Sequence, residues 1–446
     1  ERYPKRMANM FAIDLLIIAF TYVAIYLFAS QIKTLMAWVE VKKYQIFSPL
    51  LGLSMLSFYI AGRQNLEQSR RPGQLLISLI PVVGLTFIIY LTLAHFFDAL
   101  HLSNLSLALF LGLAWILLFA WRWFGVPAIK LEPRRVLLIG RNKLVDRIAQ
   151  ILQEEKAQVY AVADHWRRSS ANPGLPALEN YVQENNIDLI VYAAGSEFVS
   201  QLANSLCSLR LKAKHIFDDQ TFYQRLTGKM PIDYVDDFGM LMNSQREVWL
   251  PRLAAAVRRG LDIILSLLLL PVAIPLMIIC GVAIKLNNRG PVFFFQERLG
   301  QNELPFNLLK LRTMVTDAEK LTGPKWSSDR DPRITAVGRI LRKTRLDELP
   351  QLFNVLKGDM TLIGPRPIRK HFADLLAEKI PHYRLRFLAK PGLTGWAQVS
   401  CDYGNTVEGQ KEKVKHDLFY LVRRSLTLDF LIVLKTVQIV VAGKGI

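Results

Sequence analysis

The apolar run from Leu261 to Leu286 constrains this chain more than any other feature, because it is long enough to cross a bilayer as a helix yet is bracketed by cations. Arg258 and Arg259 precede it, and Lys285 and Arg289 mark its end. Cations near the ends of a membrane segment favour the cytoplasmic side, so both ends ask for the same face. Pro271 and Pro275 sit in the middle, and each removes an i to i−4 hydrogen bond and crowds the preceding turn. A helix hairpin over about residues 259–286, entering and leaving by one leaflet, satisfies the charges and the prolines together. A plain fifth span would carry the basic segment that follows to the outer face.

That segment holds most of the charge. The chain has 446 residues and a net charge of +19. From Pro251 onward 31 Lys and Arg stand against 17 Asp and Glu, a surplus of +14. A hydrophobic content of 51% excludes global disorder, and 446 residues are enough for two or three domains. Cys207, Cys280 and Cys401 show no CxxC or Cys/His spacing, which leaves neither a disulfide framework nor a zinc site and points to a reducing compartment. The C-terminal part is therefore read as an anion binder, with nucleic acid, anionic lipid and phosphorylated small molecules as the classes to separate. A nucleic-acid partner would account for the charge but not for its attachment to a membrane hairpin.

Four further apolar stretches, Met10 to Ala29, Ile46 to Gly62, Leu75 to His95 and Leu105 to Phe124, each approach the ~20 residues of a transmembrane helix and show no polar stripe. The first lacks a small-residue cleavage site and is followed by more spans, unlike a signal peptide. Arg2, Lys5 and Arg6 before the first span, Arg63, Arg70 and Arg71 between the second and third, and Arg122, Lys130, Arg134 and Arg135 after the fourth place both ends of this bundle in the cytoplasm. Lys33, Lys42 and Lys43 in the first outer loop run against that orientation.

Between Arg134 and Leu250 the pattern becomes soluble α/β. "RRVLLIG", "QVYAVAD", "DLIVYAAG" and "AKHIF" read as strands, alternating with helical segments as in a parallel, Rossmann-like sheet. The glycine fingerprint for a dinucleotide is incomplete: Gly140 is followed by Arg141, Asn142 and Lys143. Asp164 ends the second strand, where a ribose-binding acid would stand. The incomplete fingerprint favours a degenerate, regulatory or structural role, with no tight NAD(P) binding.

The C-terminal segment carries the chemistry. In "FNLLKLRTM" a strand puts Lys310 and Arg312 on one face, a pair suited to a diphosphate. In "RLDELPQLFNVLKGDM" the helical spacing of Leu346, Leu349, Phe353 and Leu356, with Pro350 near the helix start, sets Asp347 and Glu348 in or just before the first turn. Adjacent carboxylates there can share a divalent cation or a nucleophilic task. Arg342, Lys343 and Arg345 lie just upstream, and Arg366 is held between Pro365 and Pro367. Carboxylates ringed by cations describe a metal-dependent phosphoryl-transfer site. "AKPGLTGWAQV" reads as a turn with Trp396 at the membrane interface, and the tail "RRSLTLDFLIVLKTVQIVV" as a helix lying along the headgroups.

Taken in order, "RRGLDIILSLLLLPVAIPLMIICGVAIKLNNRGPVFFFQERLG", "KLRTM", "LDELPQLFNVLKGDMTLIGPRP" and "PGLTGWAQV" resemble the bacterial polyprenyl-phosphate hexose-1-phosphate transferases, the monotopic phosphoglycosyl transferases, most densely from Val257 to Gly443. The resemblance implies a multidomain membrane protein. It would consist of a four-helix transmembrane bundle (1–130), a Rossmann-like α/β middle domain (131–250) and an α/β catalytic domain with a re-entrant membrane helix hairpin (251–446). It further implies transfer of a sugar 1-phosphate from a nucleotide diphosphate sugar, such as a UDP-sugar, to undecaprenyl phosphate at the cytoplasmic face of the bacterial inner membrane. The products would be undecaprenyl-diphosphate-sugar and UMP, in the first membrane step of O-antigen, capsule or exopolysaccharide synthesis. The family's roles fall on Asp347 as covalent nucleophile, Glu348 as a holder of Mg²⁺, and Arg342 and Arg366 on the phosphates. Large members are often homodimers. Many carry Ser-Pro at the hairpin kink, whereas this chain has Ile274-Pro275 with a further Pro271. The competing expectation is a membrane-anchored nucleotide-binding sensor or scaffold, whose working part would be the middle domain.

Overall fold

The computed structural model describes residues 133–154, 159–166, 175–195, 202–211, 215–235, 251–316, 331–401 and 406–441, together with isolated positions, most of them in 13–21 and 112–124. The four N-terminal spans fall almost wholly outside the described residues. The chain divides into two compact units, 1–222 and 223–446.

In the first unit a four-stranded parallel sheet has the order β2-β1-β3-β4, from β1 (Arg134–Ile139), β2 (Tyr160–Trp166), β3 (Leu189–Tyr192) and β4 (His215–Asp218). The central strands are apolar because helices cover them: Val136 to Ile139 and Leu189 to Val191 are buried. Helix α1 (Lys143–Glu154) turns Leu144, Val145, Ile148, Ile151 and Leu152 inward, one face of a 3.6-residue period. Asn142 caps it, its Oδ1 accepting from the Val145 amide at 2.7 Å. Helices α2 (Leu175–Glu184) and α3 (Ala203–Leu211) complete the alternation, and α4 (Asp219–Thr227) contains the division between the units.

The second unit therefore begins before Pro251. Met230, Ile232 and Val235, assigned from the sequence to the middle domain, belong to its core with Phe372, Leu376, Tyr383, Phe387, Val414 and Leu418. Helix α5 (Pro251–Asn287) runs along this unit with Pro271 and Pro275 inside it. Neither proline has an N–H, so the carbonyls of Leu267 and Pro271 lack their intrahelical donors. One stripe of α5, including Ser266, Ala273, Met277, Cys280 and Ile284, is buried, while Ile264, Leu267, Leu268, Val272, Ile278 and Ile279 are each more than half exposed. Covering such a side chain is worth roughly 1.5–3 kcal/mol, so this face requires an apolar environment. Among the described residues it is the one helix long and apolar enough to cross a membrane.

After α5 come the antiparallel pair β5 (Phe293–Leu299) and β6 (Pro305–Leu311), helix α6 (Ala336–Thr344), a 3₁₀ turn at Leu346–Glu348 and helix α7 (Gln351–Lys357). Strand β7 (Thr361–Ile363) then pairs in parallel with β8 (Gly392–Thr394). The glycines of "PGLTGW" serve this crossing. A Cβ on Gly392 would lie 2.0 Å from the Gly364 nitrogen, and one on Gly395 2.1 Å from the Gly364 oxygen. Trp396 is tied to the protein on two sides: its Nε1 donates to the Gly228 carbonyl at 2.9 Å, and Lys435 sits 4.6 Å above its ring. Helix α8 (Lys370–Ala377), a 3₁₀ segment Tyr383–Leu388, α9 (Trp396–Ser400), α10 (Val407–Arg423) and α11 (Leu426–Val441) close the unit. Helix α11 buries Asp429, Leu431, Ile432 and Leu434 against the protein.

Candidate active site

Asp347 and Glu348 occupy the 3₁₀ turn just ahead of α7, both buried at 6% and 8% exposure. The turn exists because Arg345 ends α6 in a left-handed conformation, φ 57°, and redirects the chain. Pro350 then restarts the helix. That break resets the helical phase: Leu352 and Val355 face the core, while Phe353, expected inside, is 41% exposed. Asn354 is buried instead, its Oδ1 accepting from the Leu309 amide and its Nδ2 donating to the Asn307 carbonyl. These bonds tie the turn to β6, which delivers Lys310.

Glu348 is the electrostatic centre. Its Oε1 accepts from Arg366 Nη2 at 2.7 Å and from Lys310 Nζ at 3.2 Å. Burial alone would raise its carboxyl, but Arg366 and Lys310 hold it well below the usual carboxylate range. Asp347 differs. Burial and the Glu348 charge raise its carboxyl above the ordinary value, against the pull of Lys310, Arg342 and Arg366. Among the described residues its carboxylate has no hydrogen-bond or ion-pair partner. Burial lowers the Lys310 ammonium, against the opposing pull of Glu348.

The arginines divide by task. Arg342 approaches the dyad from α6 and donates from Nε to Thr313 Oγ1 at 2.8 Å. Arg366 follows β7, and its carbonyl accepts from Arg386 Nη2 at 3.1 Å. Arg386 is itself buried against Asp417 at 2.7 Å and the Tyr383 hydroxyl at 2.8 Å. Arg312 stands apart from Lys310: its guanidinium donates to the carbonyls of Asn288 at 2.7 Å and Arg289 at 3.2 Å, capping the end of α5. The two cations expected side by side thus engage different partners, Lys310 on Glu348 and Arg312 on the end of α5. Sequence reasoning missed Arg386, Asp417 and Lys413. Burial lowers the Lys413 ammonium, and Cys401, Arg366 and Asp417 lie within its electrostatic reach. Spacing within one segment could not have found them, since they reach the site from the 3₁₀ segment and from α10.

Among the described residues no three His, Cys, Asp or Glu side chains gather as a metal cage. The Asp347 carboxylate and Glu348 Oε2 nevertheless form a small all-oxygen donor set of the kind Mg²⁺ shares with substrate phosphates. In the first unit Asp164 is committed elsewhere: its Oδ2 accepts from Trp166 Nε1 at 3.0 Å and from the Tyr181 hydroxyl at 2.9 Å.

Residues 253–443 match the family described as Bacterial sugar transferase. The chain is 41% identical over 224 residues to the UDP-N-acetylgalactosamine-undecaprenyl-phosphate N-acetylgalactosaminephosphotransferase of Aeromonas hydrophila, covering 50% of this chain and 51% of that protein. It is 45% identical over 193 residues to the UDP-glucose:undecaprenyl-phosphate glucose-1-phosphate transferase of Caulobacter vibrioides, covering 42% of this chain and 71% of that protein. To the Escherichia coli protein of the same description it is 34% identical over 244 residues, covering 54% and 50%. The chain belongs to this membrane-associated family of bacterial sugar transferases. It spans about half the length of the Aeromonas and Escherichia relatives.

Proposed function

We propose that this protein transfers a sugar 1-phosphate from a UDP-sugar to undecaprenyl phosphate, releasing UMP, through a covalent intermediate on Asp347. The observation that carries the proposal is the asymmetry of the dyad: Glu348 is pinned by Lys310 and Arg366, while the neighbouring carboxylate is left without a partner. A buried carboxylate without hydrogen bonds is costly as structure and useful as a nucleophile.

In the first half-reaction an Asp347 oxygen attacks the phosphorus that bears the sugar. The P–O bond to the nucleotide breaks, UMP leaves, and the phosphosugar remains on Asp347 as an acyl phosphate. In the second, an oxygen of undecaprenyl phosphate attacks the same phosphorus and returns the Asp347 carboxylate. Arg366, Arg342 and Lys310 surround the dyad and stabilise charge building on the transferring group. Glu348 holds Arg366 and Lys310 in place. Mg²⁺, held by Asp347 and Glu348, would neutralise the diphosphate when bound.

Supporting a re-entrant α5 is the way one unit contacts it at both ends. Near its start Arg259 donates to the carbonyls of Val355 and Leu356 at 2.6 and 2.7 Å. Near its finish Cys280 and Ile284 pack with Leu311 and Leu341. A helix whose far half lay across the bilayer could not keep both sets. With the flanking cations, these contacts support an active site at the cytoplasmic surface of the inner membrane, where the lipid phosphate and the soluble donor would meet. Membranes carrying the protein should release UMP from one member of a panel of UDP-sugars. Release from none would remove the reading.

A further inference from the structure

A second recess lies in the same unit, away from the dyad. It encloses about 1020 Å³ between the start of α5, the 3₁₀ segment Tyr383–Leu388 and the end of α10. That volume is at the upper end for small-molecule sites. It meets α5 at residues 255–262, whereas the catalytic turn packs near residues 273–284 through Leu346 and Leu349, and none of Lys310, Arg342, Asp347, Glu348 or Arg366 lines it.

Its lining has two characters. Leu388, Leu418 and Leu421 form an apolar wall, and Arg259, Lys390 and Arg424 bring positive charge. Arg259 and Lys390 spend donors on carbonyls at the C-terminus of α7, Lys390 reaching the Gly358 oxygen at 2.9 Å. Backbone carbonyls do not neutralise two full charges. Arg424 lies 5.6 Å above the Tyr420 ring, with its Nε buried and without a hydrogen-bond partner. Arg258 and Arg384, by contrast, are matched by carboxylates. Asp262, the one carboxylate in the lining, accepts from Thr361 Oγ1 and the Leu362 amide.

Depth supplies the remaining argument. The recess meets α5 at residues 255–262, and the exposed apolar face of the helix starts alongside it at Val257 and Leu261 and continues from Ile264 onward. With that face in hydrocarbon, the recess opens at headgroup level. We infer that it binds a membrane amphiphile with a net anionic phosphate headgroup, the phosphate on Arg259, Lys390 and Arg424 and the start of its chain along Leu388, Leu418 and Leu421. The inference rests on the interfacial placement of α5 and not on the catalytic dyad.

The test uses the full chain in nanodiscs of four kinds: phosphatidylcholine alone, with about one-fifth phosphatidylglycerol, with a few per cent polyprenyl phosphate, or with millimolar inorganic phosphate. The readout is acylation of Lys390 by an amine reagent, followed by peptide mass spectrometry and normalised to Lys357, whose side chain is 72% exposed. One or both lipid additions should slow Lys390 about fivefold, protection following ligand over Kd, and the effective arm names the source. Leu421→Trp, which fills the recess, and Arg424→Gln should each abolish the slowing. Equal rates in all discs, equal slowing by inorganic phosphate, or slowing retained in the folded Trp variant would overturn the inference. UMP release from donor is decided separately, so failure here leaves the dyad's role standing.

Discussion

The polar groups around the Gly140 turn of the first unit and those of the Leu346–Glu348 turn of the second each include a buried aspartate, Asp219 and Asp347, yet they account for their polar atoms in opposite ways. At the first, Asn142 caps α1 and donates to Asp219, which also accepts from the Gln220 amide, while Asp164 is satisfied by Trp166 and Tyr181. At the second, Glu348 is doubly paired and Asp347 is not. A closed polar network stabilises a fold, whereas one that leaves a carboxylate open among cations gives up stability for chemistry. The contrast supports the proposed catalytic role of the second unit, while Asn142, Asp164 and Asp219 of the first are paired with neighbouring groups.

Asp347→Asn breaks the comparison most severely. Turnover should fall on the order of 10⁴-fold or more while the melting temperature holds or rises, because an unpaired buried charge disappears. A low melting temperature with proportionate loss of activity would make Asp347 structural. Glu348→Gln should lower kcat by roughly 10²–10³-fold, since Lys310 and Arg366 lose the charge that holds them.

Much of this was readable in advance, and the exceptions share a cause. The strands of the parallel sheet stand out because each is a short apolar run between turn residues. The dyad stands out because two carboxylates, a proline and a helical period coincide. The partners of Arg312 were not legible because the carbonyls it caps, at Asn288 and Arg289, belong to the end of α5 and carry no sequence signal. The protein contacts of Trp396 were not legible because Gly228 and Lys435 come from distant segments. Arg386 and Asp417 are more than thirty residues apart in sequence and carry no local pattern at all.

That hidden pair sharpens the comparison. Asp417→Asn would leave Arg386 charged and buried, a loss of about 3–5 kcal/mol, and would loosen the carbonyl of Arg366. Both a lower thermal midpoint and a lower kcat should follow, unlike the Asp347 variant. In the first unit Asp164→Ala should cost about 1–3 kcal/mol and leave turnover within twofold, as expected of a closed network. The smallest effect concerns pH. Arg333 holds the Asp331 carboxyl at about 2, below its ordinary 3.8, so its contribution to stability is complete above that ordinary value and is lost as pH falls through about 2. Arg333→Met should flatten the acid limb of a thermal-stability profile in that window.

The central claim is that the open carboxylate becomes covalently loaded. Wild-type protein incubated with UDP-sugar labelled in the sugar, and with no lipid acceptor, should release UMP and retain the label on the peptide containing Asp347. The label should then leave on addition of undecaprenyl phosphate. If UMP appears only when both substrates are present, and no label can be trapped on the protein, the lipid phosphate attacks the donor directly and Asp347 is not the nucleophile.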